Sequence, residues 1–353
     1  MSNNIKFLSI GVIAVAIIGI GLFFTDGDKP KEDIVTIRLL DSTIPANWEI
    51  AEKLTGKDIM EEEGVKLEQI ITSASTGGTL SIQALLANNI DFAVSAWPAW
   101  INAIAGGAKI KAVITSSSTT SKDNPGNGLV VLENSSIYSV KDLIGKKIAV
   151  NVLGASADYE IREYLKKNGL SVDQVQLVVV PNAQIEQMLR TGQVDVAAWT
   201  MGGGVEYYMA MDKGGVRELP GTKRYDIRGT TNTMGSGFRE DFLKEHPETV
   251  KKFIIAYEKS QRLVWEDFQK DSERVRKAYA SVATEKGGNP KLAKYYKSTF
   301  SPDYAFANDN DIQWWIDIIE TEGKLKPGQI KPSDVYTHEF NPFYTEPQKK
   351  GGK

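Results

Sequence analysis

The sequence predicts an α/β protein of two wound lobes joined by a hinge and preceded by an N-terminal transmembrane helix. Three observations lead there. From residue 34 onward, short runs of β-branched and aliphatic residues alternate with stretches of helical periodicity, the pattern of mainly parallel sheets covered on both faces. A polar stretch, SSSTTSKDNPGN at 116–127, interrupts that rhythm once, after which it restarts. Residues 7–24 form an apolar run with no charge inside it.

That run is long enough for a membrane-spanning helix, which needs about 17–25 residues. Lys6 precedes it and Asp26 and Asp28 follow, so the positive-inside tendency leaves the N-terminus cytoplasmic and the body outside. A cleaved signal peptide is the alternative, with Gly19-Ile20-Gly21 as a small-residue site, but the apolar run continues through Leu22-Phe23-Phe24. Either way the body is exported. Residues 25–33 (TDGDKPKED) read as a tether.

Strands are predicted at 34–40, 66–71, 90–94 and 109–115, with helices at 48–63, 79–88 and 100–105 between them. After the polar stretch come strands at 128–132, 147–151, 175–180 and 194–199 and helices at 158–168 and 185–191. The chain crosses back near 226–235. Its last third is helical, at 247–268, 271–283, 290–296 and 309–322, with aromatic residues Phe253, Tyr257, Trp265, Trp314 and Trp315 expected to pack on the first lobe. The expected organisation is residues 34–120 plus 230–345 as lobe 1, 121–229 as lobe 2, and 346–353 as an unstructured tail.

At 353 residues the chain can hold two lobes of about 100–200 residues each. Lys and Arg total 42 against 45 Asp and Glu, so no basic excess points to nucleic acid. There is no cysteine, which removes disulfides, thiolate metal sites and cysteine nucleophiles. His246 and His338 are far apart in sequence and read as surface residues, leaving no metal-ligand spacing and no catalytic set.

Ligands of open α/β sheets bind beyond the strand carboxyl ends, so the turns there are the informative positions. Ser73-Ala74-Ser75-Thr76-Gly77-Gly78-Thr79 opens a helix, and its small residues, hydroxyls and free helix N–H groups suit an anion. Gly154-Ala155-Ser156-Ala157 is the parallel case in the second lobe, or else an ordinary glycine turn with a serine cap. Ser95-Ala96-Trp97-Pro98 and Trp199-Thr200-Met201-Gly202 place a bulky ring at a strand end, as a pocket wall or as a cap on the sheet. Arg228 and Arg239 are either further charges for a ligand or exposed arginines.

At these residues the sequence resembles the substrate-binding proteins of nitrate, taurine and aliphatic-sulfonate ABC importers, of the type II periplasmic-binding-protein kind. The resemblance covers about residues 34–344. It is most specific in SVKDLIGKKIAV at 139–150, and IQALLANNIDFAVSAWPAW and MLRTGQVDVAAW look like the family's helix-to-strand passages. It implies a Venus-flytrap fold whose hinge closure buries the ligand. It also implies contacts at Ser42 or Thr43, at Thr76, Gly77 and Gly78, at Trp97, at Ala155 and Ser156, and at Trp199 and Thr200. Several relatives carry an acidic residue where this chain has Thr200, which argues against taurine itself.

The expected function is binding without catalysis. The protein captures a small anionic organic ligand, sulfonate-like or nitrate-like, with backbone N–H groups and hydroxyls at its head and Trp97 and Trp199 sandwiching the remainder. It works as a monomer held at the membrane, handing the ligand to an ABC permease, with no cofactor, metal or nucleic acid. The rivals are an enzyme of the same fold making a thiamine-pyrimidine precursor, disfavoured by the two distant histidines, and a membrane-tethered sensor, which needs a separate signalling partner.

Overall fold

The computed structural model describes residues 35–71, 77–116, 119–199, 204–302 and 305–345. The expected membrane segment, the tether, the 346–353 tail, Thr76 and Thr200 lie outside them. Among the described residues no helix is long and apolar enough to cross a membrane.

The chain forms strands β1 (Thr36–Asp41), β2 (Lys66–Ile71), β3 (Phe92–Ala96), β4 (Ile110–Thr115), β5 (Thr119–Thr120), β6 (Val130–Leu132), β7 (Lys147–Val150), β8 (Gln176–Val179), β9 (Val196–Ala197), β10 (Val216–Glu218), β11 (Thr231–Asn232) and β12 (Met234–Arg239). One sheet has the order β2-β1-β3-β12-β4, the other β10-β6-β9-β7-β8, and β5 pairs with β11 between them. The two large sheets repeat one plan. In each, the strand that has just crossed from the other half, β12 or β6, runs antiparallel beside the third parallel strand.

Neighbouring residues in these strands pack into opposite clusters, as the period of two requires. Phe92 joins Ile37, Phe253 and Tyr257, whereas Ala93 joins Trp97, Trp100 and Trp315. In the second sheet Ile148 and Val150 face Ile161 and Leu165, while Ala149 faces Val130 and Trp199. Both sheets are therefore covered on both faces.

Helix boundaries follow local chemistry. The single helix expected over 48–63 is two, Asn47–Thr55 and Ile59–Glu62, because Gly56 ends the first at φ 74° and Asp58 caps the second by accepting from the N–H groups of Met60 and Glu61. Trp97, expected in a turn, opens the helix Trp97–Ala105, with Pro98 in its first turn. The helix Val205–Lys213 and strands β10 and β12 were not expected at all.

Strand β12, MGSGFR, has turn composition yet lies inside the first sheet, between β3 and β4. Its glycines are steric requirements. A Cβ on Gly235 would sit 2.3 Å from the Trp97 ring, and one on Gly237 2.0 Å from the Lys111 carbonyl oxygen, beside a register shift at Ser236/Gly237. Gly235→Ala is expected to destabilise the fold by about 1–3 kcal/mol, read as a lower urea midpoint at unchanged slope.

Glu258 is 1% exposed within the helix Pro247–Lys270, and its Oε2 lacks a hydrogen-bond partner. Burial pushes its pKa up to about 7 from the usual 4.5, with Arg262 pulling the other way from 3.7 Å. The folded chain thus holds this proton where the unfolded chain has lost it. The stability Glu258 contributes is full below about pH 4.5 and is lost as pH rises through 7. Urea titrations from pH 4.5 to 8 are expected to show this decline, and Glu258→Gln to reduce it by an amount of order 2–3 kcal/mol.

Candidate functional site

The pairing registers bring the strand carboxyl ends of the two sheets toward one hinge. Strand β12 starts where β3 and β4 end, with Met234 opposite Ala96 and Gly235 opposite Thr115. Strand β6 starts where β9 ends, with Val130 opposite Ala197. Both crossings enter at carboxyl ends, so those ends face each other across the hinge pair β5 and β11.

Helices that begin there share a peculiarity. Those starting at Trp97, Ser156, Asn182 and Val205 have Ala96, Ala155, Pro181 and Gly204 as N-caps, none with a side-chain cap bond. Elsewhere Asp58, Asp271 and Asn308 cap their helices through side-chain oxygens, while the helices starting at Asn47, Arg224, Glu240, Pro247 and Pro332 also lack a side-chain cap bond, so it is the coincidence of open helix starts with strand carboxyl ends that distinguishes the first four. Uncapped helix starts keep free N–H groups and partial positive charge, a ready site for anions, although at the Trp97 helix the first N–H donates to the Thr233 carbonyl (3.4 Å) and Pro98 has none. Ser156 is thus the first helical residue and not the cap.

Buried polar atoms without a protein partner gather at the same ends: Ser95 Oγ and Ser116 Oγ beside β3 and β4, Asn151 Oδ1 and Asn182 Oδ1 beyond β7 and β8, and Tyr159 OH in the first helical turn after Gly154. Others, among them Trp48 Nε1, Glu258 Oε2, Ser298 Oγ and Asn341 Nδ2, lie elsewhere. Ser116, Asn151, Asn182 and Tyr159 were not singled out from sequence. For the first three the signal would have been a polar residue one to three places past a strand end; Tyr159, in the first turn of the following helix, offered none.

The structure joins some expected residues and separates others. A Cβ on Gly78 would lie 2.3 Å from Ser95 Oγ, so the Gly77-Gly78 helix start rests directly on the end of β3. Ser42 Oγ accepts from the N–H of Ile44 (3.2 Å), and the Thr43 carbonyl oxygen would be 2.5 Å from a Cβ on Gly288, which closes this turn. Beside it Lys286 Nζ binds Asp41 (2.7 Å) and Glu49 (2.6 Å).

Trp97 and Trp199 are 0% and 1% exposed, in the cores of different lobes. Trp97 Nε1–H donates to the Asn232 carbonyl (3.1 Å) and Trp199 Nε1–H to the Asn182 carbonyl (3.3 Å). The sandwich of a ligand between two indole faces therefore has no counterpart here, since both rings are consumed by packing. They form the floor beneath the strand ends.

Neither arginine is an exposed surface group. Arg228, its side chain 4% exposed, donates to the Asp311 carbonyl (2.8 Å) and carboxylate (3.3 Å) and lies 4.0 Å over Trp314. Burial lowers its pKa to about 10, against Asp311 and Glu160, so it stays protonated at neutral pH. Arg239 pairs with Asp91 at the amino end of β4, opposite Ile110 and away from the cleft. His338 is not a surface residue either. Its Nε2 meets the Ala307 carbonyl at 2.9 Å, its ring stacks on Tyr344 at 3.8 Å, and burial lowers its pKa.

Ring contacts on both flanks join the lobes. Tyr159 of the second lobe meets Trp315 of the first, ring centroids 6.5 Å apart. On the other flank Tyr208 stacks on Tyr295 at 6.0 Å, and Asp212 accepts from Lys294 and Tyr295, which holds its carboxyl below the usual range.

Comparison with known proteins agrees with this geometry. A binding protein of Brucella abortus is 27% identical over 298 residues, covering 80% of this chain and 84% of that one. An aliphatic sulfonates-binding protein of Bacillus subtilis is 27% identical over 262 residues, covering 72% and 73%. The crystal structure of the periplasmic aliphatic sulphonate binding protein SsuA from Escherichia coli superposes with a TM-score of 0.65 at 18% identity, over 85% of this chain and 91% of that one. That likeness establishes the two-lobed periplasmic-binding-protein fold. The family model described as NMT1/THI5 like matches residues 57–269, a span that takes in both crossings of the hinge and more than half of the chain, and the protein belongs to that family.

Proposed function

We propose that this protein is the extracytoplasmic solute-binding component of an ABC importer, capturing a small anionic organic ligand between its lobes without catalysis. The observation that carries the reading is the run of uncapped helix starts at Trp97, Ser156, Asn182 and Val205, all at strand carboxyl ends and accompanied there by buried, unpartnered Ser95, Ser116, Asn151 and Asn182. Each unpartnered buried group costs about 1–3 kcal/mol; the hydroxyls of Ser95 and Ser116 can donate to a bound ligand's oxygens and so offset that cost, whereas Asn151 Oδ1 and Asn182 Oδ1 accept only from a donor. Similarity to sulfonate-binding relatives supports the ligand class.

In this reading the lobes are residues 34–120 with 230–345, and 121–229. The ligand is held by Gly77, Gly78 and Thr76 from one side and by Ala155 and Ser156 from the other, with Ser42, Thr43 and Thr200 at the margins. Trp97 and Trp199 act as the supporting floor. The protein works as a monomer, tethered through residues 7–24, and delivers its ligand to a permease.

Thermal-shift screening of the full chain against methanesulfonate, ethanesulfonate, taurine, nitrate and bicarbonate is the direct test. At least one anion is expected to raise Tm in a concentration-dependent way, and a flat response to all of them would discard the ligand class. Ala155→Asp would supply the missing cap to the helix Ser156–Lys167. It is expected to stabilise the ligand-free fold by about 0.5–1 kcal/mol while weakening anion binding at least tenfold, by urea denaturation and calorimetry respectively. A gain in stability with unchanged binding would remove that helix start from the site.

A further inference from the structure

The Gly154 turn has an electrostatic environment that its own lobe does not explain. Gly154 has φ 75°, and a Cβ built on it would lie 3.7 Å from Lys324 Nζ and 3.9 Å from Tyr159 OH. Lys324 belongs to the other lobe, just beyond the helix Asp309–Thr321, and its ammonium lies over the Tyr159 ring, 5.1 Å from the centroid. Tyr159 is 0% exposed, and its hydroxyl, which reaches this turn, has no partner.

A lysine is misplaced at the amino end of a helix, where the backbone already carries about half a positive charge. Among the described residues Lys324 makes no ion pair that would neutralise it. The nearby carboxylates are committed. Asp158 accepts from the Gly154 N–H (2.7 Å) through Oδ2 and from Arg162 Nε (2.6 Å) through Oδ1, and Glu322 is bound by the same arginine. A cation, an uncapped helix start and an unpartnered buried phenol thus converge from two lobes on one turn. Together they select for negative charge.

Resting on the solute-binding reading, we infer that Lys324 and Tyr159 form, with the Gly154 turn and the first N–H groups of the helix Ser156–Lys167, an anion clasp spanning the two lobes. It takes the oxyanion head of the ligand. The helix N–H groups and the Tyr159 hydroxyl donate to any polar oxygen, whereas Lys324 supplies the preference for a charged one and draws the first lobe onto the second as the site fills.

Calorimetry on the full-length protein with methanesulfonate and with its neutral isostere dimethyl sulfone tests this assignment. Wild type is expected to favour methanesulfonate. Lys324→Met should weaken methanesulfonate binding at least tenfold, Lys324→Arg should stay within threefold of wild type, and Tyr159→Phe should lose about fivefold. Dimethyl sulfone binding should be unchanged by Lys324→Met. Lys324 is exposed, so its variants should melt as wild type does. If wild type binds methanesulfonate and Lys324→Met binds it equally well, the clasp is overturned while solute binding stands. If wild type prefers the neutral sulfone, or binds neither probe while another anion of the thermal-shift panel binds with no loss in Lys324→Met, the clasp is likewise overturned. If no anion binds at all, the underlying reading falls with it.

Discussion

The benzo edge of Trp97 against Gly235 is the contact on which the rest of the molecule is organised. Trp97 begins the helix that leaves the end of β3, and Gly235 lies in the strand that has just returned from the second lobe. With a Cβ at 235 the ring and the returning strand could not occupy the same place. Because Trp97 Nε1–H also holds the Asn232 carbonyl, one side chain ties the hinge strand to the end of the central strand of the first sheet. Close packing leaves such a contact little freedom to relax.

The hinge is further pinned by charge. Asp311, in the first turn of the helix Asp309–Thr321, accepts from Thr231 Oγ1 (2.7 Å) and the Asn232 N–H (3.0 Å) and receives Arg228 from the second lobe. Arg224 beside it pairs with buried Glu160 (2.6 Å). Buried pairs like these add little net stability but cost much to break singly. They fix how the two crossings leave the hinge, whereas the contacts of Asp212 and Tyr208 on the far flank are exposed or half-buried and easily parted. The rigid back and loose front suit an opening and closing motion about the crossings.

Opposed to this firmness is a set of unmet demands at the strand ends. Alanine, proline and glycine stand where helices ordinarily take a capping side chain, and serine and asparagine atoms are buried there without partners. Other helix starts are uncapped and other buried atoms lack partners, but at the strand ends the two kinds of unmet demand occur side by side. Local rules broken together in this way are where a binding site is to be sought.

Alternation of short apolar runs with helical periodicity, read from residue 34 onward, was enough to place most strands of both sheets, the interruption at 116–127 and the small-residue turn before Ser156, because these are properties of neighbouring residues. The masking of β12 by its own glycines, the burial of Trp97 and Trp199, and the true partners of Arg228 and His338 were illegible, since a glycine demanded by a ring 138 positions away looks like a glycine in a turn. Local pattern sets which segments are strands, helices and turns. Which side chains remain without a partner, and which lysine of one lobe meets which turn of the other, is a matter of packing between distant segments, and exists only once the chain has crossed the hinge twice.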